Sequence, residues 1–326
     1  MDDLPDVRLA HYRLRLRLEQ AARLPGYLGS TLRGGLGYVL KKRCFEPERK
    51  SCKGCPLHHT CPYGYLFSPA APPGAELIRA GSEIPPGFLL EPPLDWRIDY
   101  QAGDAIEFGL TLVGRAIDYL PYFVIDYRAL GERGLGRPEE GQARAHYTLE
   151  EVQAVDPRPG PAQAATIYTA AAEAVHDCNL SASWAELAAR AAAWPTGRLT
   201  IDLITPARLN KGRAYHRQPA FHILIRVLLR RLSFLAYFHG GQRWDADFDG
   251  WNSRAETVRT VAAGTRWVER ERYSTRQRQW IRLDGTVGSM TYEGDLAPFG
   301  PLLAVGEWLH VGNDCVFGNG QYRVRG

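Results

Sequence analysis

The sequence predicts an α+β protein made of two tandem ferredoxin-like modules. Segments that alternate polar and apolar residues, as strands do, are interleaved with segments of helical periodicity. The order strand–helix–strand–strand–helix–strand, which is that of a ferredoxin-like unit, occurs once in each half of the 326-residue chain. A Pro- and Gly-rich segment near the middle reads as a linker. We therefore expect modules at residues 1–156 and 166–326, joined by a linker at residues 157–165.

The first module is defined by changes in periodicity. Residues 7–18 alternate arginine with leucine or tyrosine, which predicts a strand with one basic face. After the turn at Pro25-Gly26, leucines spaced three and four residues apart predict an amphipathic helix over residues 28–43. Later segments complete the module: two strand-like pieces within residues 87–113, of which 104–113 is the clearer, a helix at 115–127 and an alternating segment at 141–155.

The second module repeats this order. Residues 198–209 predict its first strand, and residues 218–238 predict a long helix with its leucines on one face. The remaining elements are strands at 265–274 and 280–293, a helix at 298–309, a glycine-rich loop at 306–320 and a final strand.

Charge is distributed unevenly although the net charge is only +4 and the isoelectric point is about 8.7. No acid occurs between Glu19 and Glu46 or between Asp202 and Asp245, and both stretches carry several Arg or Lys residues. Because the planar guanidinium suits phosphates and stacks on bases, the two stretches are compatible with a bound polyanion. The alternative is that they form solvated faces.

Several functional classes are disfavoured. The sequence contains no GxxxxGK[ST] phosphate loop, and its glycine-rich loop lacks the strand-then-helix context of a dinucleotide-binding motif. The first residues are acidic, no secretory signal is visible, and no apolar run approaches the roughly 20 residues of a membrane span. We expect a cytoplasmic protein.

A cysteine cluster interrupts the first module at residues 44–62. Cys44, Cys52, Cys55 and Cys61 include one CxxC pair, and four thiolates satisfy a tetrahedral Zn²⁺ completely. The spacing predicts a structural zinc site in an insert too small for a core of its own. His58 or His59 could replace one thiolate, and an iron–sulfur cluster uses the same ligand type. Free thiols or redox disulfides are the remaining alternative.

The glycine-rich loop carries glycines at 312, 318 and 320. Glycine permits a turn at positive φ and a close approach to the main chain. Successive exposed N–H groups in such a loop can hold phosphate oxygens.

Six stretches follow one another along nearly the whole chain: GSTLRGGLG from Gly29, TPARL from Thr205, LLRRLS from Leu228, RYSTRQ from Arg272, GTVG from Gly285, and HVG from His310 through Gly318-Asn319-Gly320. In this order they resemble the motifs of the CRISPR repeat-RNA-processing endoribonucleases of the RAMP superfamily, whose modules are ferredoxin-like.

The chain departs from this family at two places. Many members keep a catalytic histidine in or just after the first helix, whereas residues 28–43 contain none and Tyr38, Lys41 and Lys42 stand there instead. The glycine-rich loop often has a lysine or arginine after its first glycine, whereas this chain has Asn313 followed by Asp314.

The resemblance implies metal-independent cleavage of precursor RNA at the repeat. A base removes the proton of a ribose 2′-OH, the oxygen attacks phosphorus, and an acid protonates the leaving 5′-oxygen, which leaves a 2′,3′-cyclic phosphate. This chemistry needs a base, an acid and positive charge near the phosphorane. The catalytic candidates are His310, Tyr38, Lys42 and His216. Capping of the preceding helix is the alternative role of His310.

The candidates for RNA contact are basic residues of the two acid-free stretches and later segments, together with the loop glycines. Adjacent Arg230 and Arg231 lie about 100° apart on a helix, so only one is expected to face RNA. The full set is Arg33, Lys41, Lys211, Arg213, Arg217, Arg230, Arg231, Arg276, Gly312, Gly318 and Gly320.

The expected partner is CRISPR repeat RNA. Other CRISPR effector subunits are compatible with the resemblance, no membrane partner is expected, and monomer and homodimer remain open. Two rival functions also remain: a non-catalytic RAMP subunit that holds crRNA in an effector complex, and a zinc-ribbon nucleic-acid adaptor.

Overall fold

The structure, a computed structural model, describes residues 4–44, 52, 55–71, 74–75, 84–136, 144–172, 174–178, 180–211, 214–274 and 279–326. Its chain forms two compact units. The N-terminal unit is Leu9–Ser181, and the C-terminal unit is Met1–Arg8 together with Ala182–Gly326. Within the described residues, no helix combines the length and the apolar character that crossing a bilayer requires.

Among its described residues, the N-terminal unit contains three α-helices and seven strands. The helices are α1 (Gly29–Cys44), α2 (Pro62–Phe67) and α3 (Leu120–Arg133). The strands are β1 (Arg8–Leu18), β2 (Ala22–Arg23), β3 (Phe88–Glu91), β4 (Asp99–Tyr100), β5 (Ala105–Val113), β6 (Tyr147–Val155) and β7 (Ala164–Thr169).

The main sheet of this unit is antiparallel, with the order β3-β5-β1-β6-β7. The first four of these strands have the order expected of a ferredoxin-like unit, which confirms the predicted topology. In the central strand β1, Leu14 pairs with Phe108 on one side and Val152 on the other, and all three side chains are buried. The helix α1 buries Leu32, Leu36 and Leu40, as its leucine spacing predicts.

Two arginines on the basic face of β1, Arg15 and Arg17, pair with glutamates of neighbouring strands. Arg15 lies 3.3 Å from Glu107 and 2.9 Å from Glu150. Both oxygens of Glu150 also accept hydrogen bonds of 2.9 Å from Arg17. Period-2 alternation correctly places these arginines on one face, but their partners come from distant segments. This face is therefore an Arg–Glu ladder.

The second helix of the first predicted module begins later than the sequence predicts. Residues 114–119 form a 3₁₀ turn, and α3 then begins at Leu120 with Pro121 in its first turn. Proline is favoured there because the first N–H groups of a helix have no intrahelical partner. The helix ends before Gly134, whose φ of 83° suits glycine.

The boundary between the units differs from the predicted one. The predicted linker, residues 157–165, runs into β7, which pairs with β6 in the N-terminal sheet. The division between the compact units falls at Ser181 and Ala182. The Pro- and Gly-rich segment is therefore a connection within the first unit, where proline and glycine mark a turn between two strands.

Among its described residues, the C-terminal unit contains four α-helices and nine strands. The helices are α4 (Trp184–Ala188), α5 (Phe221–Gly240), α6 (Phe248–Glu256) and α7 (Gly300–Leu309). The strands are β8 (Ala182–Ser183), β9 (Arg198–Ala207), β10 (Asn210–Lys211), β11 (Ala214–Tyr215), β12 (Arg259–Val268), β13 (Glu271–Ser274), β14 (Gln279–Arg282), β15 (Gly285–Glu293) and β16 (Tyr322–Arg325).

The main sheet of the C-terminal unit repeats the ferredoxin-like order as β12-β15-β9-β16. Ile201 in the central strand β9 pairs with Met290 and Val324, and all three are buried. The long helix α5 ends at Gly241, whose left-handed φ of 67° suits glycine. Beyond the main sheet, β13 and β14 pair as a separate two-stranded ladder, with Tyr273 opposite Trp280.

Helix α7 packs very closely against the last strand. The hydroxyl of Tyr322 donates a 2.7 Å hydrogen bond to the carbonyl of Leu303. A Cβ atom on Gly306 would lie 2.1 Å from that hydroxyl and 2.8 Å from Leu228. Because no real Cβ tolerates such distances, only glycine fits at this position without movement of a buried neighbour.

Replacing Gly306 with alanine is therefore expected to destabilise the protein. The overpacking should lower the free energy of unfolding by about 1–3 kcal/mol, measured by thermal or urea denaturation. Gly264→Ala is the matched control because a Cβ there meets nothing within 4 Å. A stability loss for Gly306→Ala no larger than that of the control would contradict the packing argument.

Candidate functional site

The first cluster of interest lies on the solvent side of α1 in the N-terminal unit. Tyr38 is 40% exposed, because the leucines of α1 turn toward the core and leave this side chain on the outer face. Lys42, one helical turn later, has its Nζ 5.2 Å from the ring centroid of Tyr38. The Cζ of Arg133, from the last turn of α3, lies 4.0 Å from the same centroid. These residues, Tyr38, Lys42 and Arg133, are called the Tyr38 cluster.

The two cations change the acidity of the tyrosine. The hydrogen bond with Lys42 is the largest cause that lowers the pKa of Tyr38 from its ordinary value, and the charge and hydrogen bond of Arg133 lower it further. Burial raises the pKa of Tyr38 and is second in size only to the hydrogen bond with Lys42, but the combined effect of the two cations prevails. Such a tyrosine gives the phenolate, which can accept a proton, at lower pH than an isolated tyrosine does, and two positive charges stand beside it.

Several other basic residues of α1 and α5 make contacts within their own unit. The guanidinium of Arg33 lies 5.0 Å from the ring centroid of Phe67. Arg43 pairs at 2.9 Å with Asp126, whose side chain is fully buried. Arg231 donates a 2.8 Å hydrogen bond to the carbonyl of Leu309.

Arg230, in contrast, is exposed on α5. The two neighbours thus differ in exposure, and the expectation that only one of them faces RNA stays a prediction. Arg213 and Arg276 lie outside the described residues, as does the side chain of Lys211.

The predicted catalytic residue His310 is fully buried in the C-terminal unit. Its Nδ1 lies 3.1 Å from the carbonyl oxygen of Asn319, and its φ is 60°. A group that exchanges protons with RNA must reach the RNA, and the ring does not reach the surface of this structure. The position of His310 immediately after α7 instead suits the structural role left open from the sequence.

The glycine-rich loop is a closely packed turn. Gly312, Gly318 and Gly320 have φ values of 96°, 92° and 73°. A Cβ on Gly320 would lie 1.9 Å from the carbonyl oxygen of Val311. The N–H of Gly318 donates to the carbonyl of Cys315, and that of Gly320 donates to the carbonyl of Pro206. These two N–H groups therefore donate hydrogen bonds to carbonyls of the protein itself. At these positions glycine allows the close packing of the turn.

A largely buried arginine that the sequence did not single out as a site residue organises this end of the C-terminal unit. Arg208 lies 2.6 Å from Asp284 and 3.5 Å from Asp314, with its side chain only 14% exposed. It also donates a 3.0 Å hydrogen bond to the carbonyl of Arg282. The only sequence signal was its place in the TPARL motif, since its acidic partners are far away in the chain.

His216 and Arg217 follow the short strand β11. The N–H of His216 donates to the carbonyl of Leu209, and its Nε2 is buried with no hydrogen-bond partner among the described residues. Arg217 is exposed, and its Cζ lies 5.8 Å from the ring centroid of Trp267.

The four clustered cysteines lie in the N-terminal unit, and all four are half-buried. The Cys44 thiol hydrogen-bonds with the Cys61 thiol and accepts the N–H of Tyr63. Burial raises the pKa of Cys44 to about 11. Across the part of the chain that the structure describes, no three His, Cys, Asp or Glu side chains are grouped as a ready metal site.

Cys52 forms the other end of the cysteine cluster. Burial raises the pKa of its thiol, which interacts with Cys55 and Cys61 and hydrogen-bonds with the side chain of Ser68. The N–H of Cys55 donates to the carbonyl of Cys52 at 3.1 Å, which closes the turn of the CxxC pair.

Comparisons with known proteins agree with this architecture. Residues 5–180, more than half of the chain, match the AF_1859_N family, described as an N-terminal domain. Residues 201–322 match the family described as CRISPR-associated endoribonuclease Cas6. An uncharacterized protein of Archaeoglobus fulgidus is 25% identical over 324 residues, which cover 98% of each chain.

Two solved structures share the fold at low sequence identity. Cas6 of Thermus thermophilus has a TM-score of 0.52 and 14% identity, with coverage of 98% of this chain and 99% of that one. A chain of a partial Cas6-RT-Cas1–Cas2 complex has a TM-score of 0.56 and 12% identity. The match covers 100% of this chain and 47% of that one.

The order of the two family matches along the chain parallels the two ferredoxin-like units, and the motif resemblance runs through both. The chain belongs to the AF_1859_N family, whose model matches more than half of it, and its residues 201–322 are similar to the family of CRISPR-associated endoribonuclease Cas6.

Proposed function

We propose that this protein cuts CRISPR precursor RNA within the repeat, without a catalytic metal, and leaves a 2′,3′-cyclic phosphate. The observation that carries the proposal is the Tyr38 cluster, in which an exposed tyrosine with a lowered pKa stands beside two cations. It lies on α1, the helix on which the family resemblance places the catalytic residue.

The Tyr38 cluster supplies the groups that the reaction needs. The phenolate of Tyr38 takes the proton of the ribose 2′-OH, and the 2′-oxygen attacks the adjacent phosphorus. The bond to the 5′-oxygen breaks, and the ammonium of Lys42 gives that oxygen a proton. Arg133 offsets the negative charge that develops on the phosphorane. Histidine is not required, because the neighbouring cations bring the tyrosine pKa closer to neutrality.

The overall activity is tested by a single-turnover assay with labelled repeat RNA in excess EDTA. We expect one cut and a product that ends in a 2′,3′-cyclic phosphate. Binding without cleavage would favour the rival function, an RNA-holding subunit, for which the absence of histidine on α1 is the supporting observation.

The role of Tyr38 is tested by Tyr38→Phe, which keeps the ring and removes the hydroxyl. Single-turnover cleavage should slow by about 10²- to 10⁴-fold while RNA affinity is kept. The wild-type rate should rise with pH until it levels off below the ordinary tyrosine pKa, and the variant should lose this dependence. Tyr122→Phe is the matched control, an exposed tyrosine on α3. Cleavage by Tyr38→Phe at the control rate would remove Tyr38 from the mechanism.

We also propose that Cys44, Cys52, Cys55 and Cys61 hold a structural Zn²⁺. Support comes from the CxxC turn, from the hydrogen bond between the Cys44 and Cys61 thiols, and from the electrostatic interaction of Cys52 with Cys55 and Cys61. Hydrogen bonds from Tyr63 and Ser68 already reach two of the sulfurs, and such second partners orient the ligands of a metal. With four thiolates the ion would have no open coordination position, so it would stabilise the insert without entering the reaction.

Substitution of one cysteine tests the metal. Cys52→Ser should lose the bound zinc, measured by elemental analysis of the purified protein, and should lower the melting temperature by several degrees. Cys178→Ser, outside the cysteine cluster, should keep the bound zinc and the wild-type melting temperature. A wild-type protein that contains no metal and is equally stable with chelator would refute the zinc site, and a visible absorption band with bound iron would identify an iron–sulfur cluster instead.

A further inference from the structure

Two aromatic side chains lie together on the surface of the C-terminal unit. Tyr215, in β11, is 45% exposed, and Trp267, in β12, is half-buried. Their ring centroids are 6.2 Å apart, and their planes are inclined by 44°. Exposed aromatic pairs are unusual on a surface without a partner, because they leave apolar area in water that a ligand could cover.

Each ring is accompanied by an arginine. The Cζ of Arg208 lies 5.0 Å from the centroid of Tyr215, and that of Arg217 lies 5.8 Å from the centroid of Trp267. Arg208 is neutralised by Asp284 and Asp314. Arg217, by contrast, is exposed and forms no ion pair with any described residue. The first arginine therefore holds a ring in place, whereas the second offers its charge to a ligand.

The segment that carries Arg217 is held firmly on the sheet. The carbonyl oxygen of Arg217 accepts hydrogen bonds from the hydroxyls of Thr265 at 3.1 Å and Thr286 at 3.3 Å. Thr286 in turn pairs with Trp267 in the ladder between β15 and β12. The main chain at Arg217 is thus anchored to β12 and β15 before any ligand arrives, which reduces the entropy that binding must offset.

We propose that Tyr215, Trp267 and Arg217 form a base-stacking site for a single-stranded segment of RNA. Aromatic rings beside arginine are the common means of binding single strands, since every base has a face to stack and every linkage carries a phosphate. A duplex hides the faces of its bases, so the ligand is an unpaired stretch. The choice of RNA rests on the proposed function, whereas the stacking site itself lies apart from the Tyr38 cluster in sequence and in fold.

The stacking is tested with an unpaired RNA of about ten nucleotides that contains 2-aminopurine, whose fluorescence falls when it stacks. Tyr215→Leu should bind this RNA about 5- to 100-fold more weakly and should lose the fluorescence change. Tyr215→Phe keeps the ring and should bind within about twofold of wild type. Trp267→Leu is a second test of the site should Tyr215→Leu fail to fold.

The contact between the charge of Arg217 and a phosphate is tested by the salt dependence of RNA affinity. Arg217→Ala should lower the slope of log affinity against log salt by about 0.7, the value for one phosphate contact of a single strand. Tyr215→Leu should leave that slope unchanged. Arg259→Ala is the matched control, because Arg259 lies on the same strand as Trp267 but pairs at 2.6 Å with Glu293. Equal loss of slope in both arginine variants would overturn the assignment of Arg217.

The outcomes separate this inference from the proposed nuclease activity. Wild-type affinity and fluorescence change in both Tyr215→Leu and Trp267→Leu would overturn the stacking site even if repeat RNA is cleaved. Binding that depends on the two rings but is not followed by cleavage would support the stacking site and contradict the nuclease. Tighter binding of a DNA strand of the same sequence would overturn the assignment of RNA as the ligand.

Discussion

The C-terminal unit depends on one largely buried guanidinium. Arg208 stands between Asp284 and Asp314 and also reaches the carbonyl of Arg282. It thereby joins the end of β9, the start of β15 and the glycine-rich loop. Removing a charge from water is costly, and the cost is offset only where partners are well placed. Without the arginine, the carboxylates of this nearly dry site would lose the cation that compensates them.

The glycine-rich loop passes very close to the main chain of Arg208, and this closeness explains why the loop contains glycines. A Cβ on Gly312 would lie 2.6 Å from the carbonyl oxygen of Arg208. The hydroxyl of Thr205, three residues earlier, donates to the carbonyl of Gly318 and accepts the N–H of Gln321. The loop is therefore fastened to β9 by main-chain contacts that larger residues would prevent. The glycines of this loop therefore have a structural role, which is to let the loop pack closely against β9.

Local periodicity was enough to predict the main helices and strands of the two ferredoxin-like units, because apolar spacing reports which face of each helix or strand is buried. The short helix α6 was missed, since only Trp251 and Ala255 are buried and so few apolar positions leave little helical periodicity to detect. The strand β7 was missed because it follows a proline-rich turn. The burial of His310 was also not predictable, since its partner Asn319 is set by the fold of the loop.

The candidate site was predicted in part. Tyr38 and Lys42 are one helical turn apart and could be paired from sequence alone. Arg133 could not, because α3 is brought to α1 only by tertiary packing. The contact partners of Arg33, Arg43 and Arg231 could not be predicted from the sequence either, since a long side chain can reach solvent or a nearby ring, carboxylate or carbonyl. Arginine content thus indicates a basic protein without showing which arginines are available.

The Arg–Glu ladder on β1 has a consequence for selectivity. Glu150 alone contacts both Arg15 and Arg17, so one carboxylate offsets part of the positive charge of this sheet face. If the proposed function holds, these ion pairs reduce nonspecific attraction of the RNA backbone to this sheet face, because unpaired cations bind phosphates irrespective of sequence. Loss of Glu150 would leave Arg17 without this ion pair and Arg15 with Glu107 alone. The sheet face would then bind polyanions more strongly and without regard to sequence.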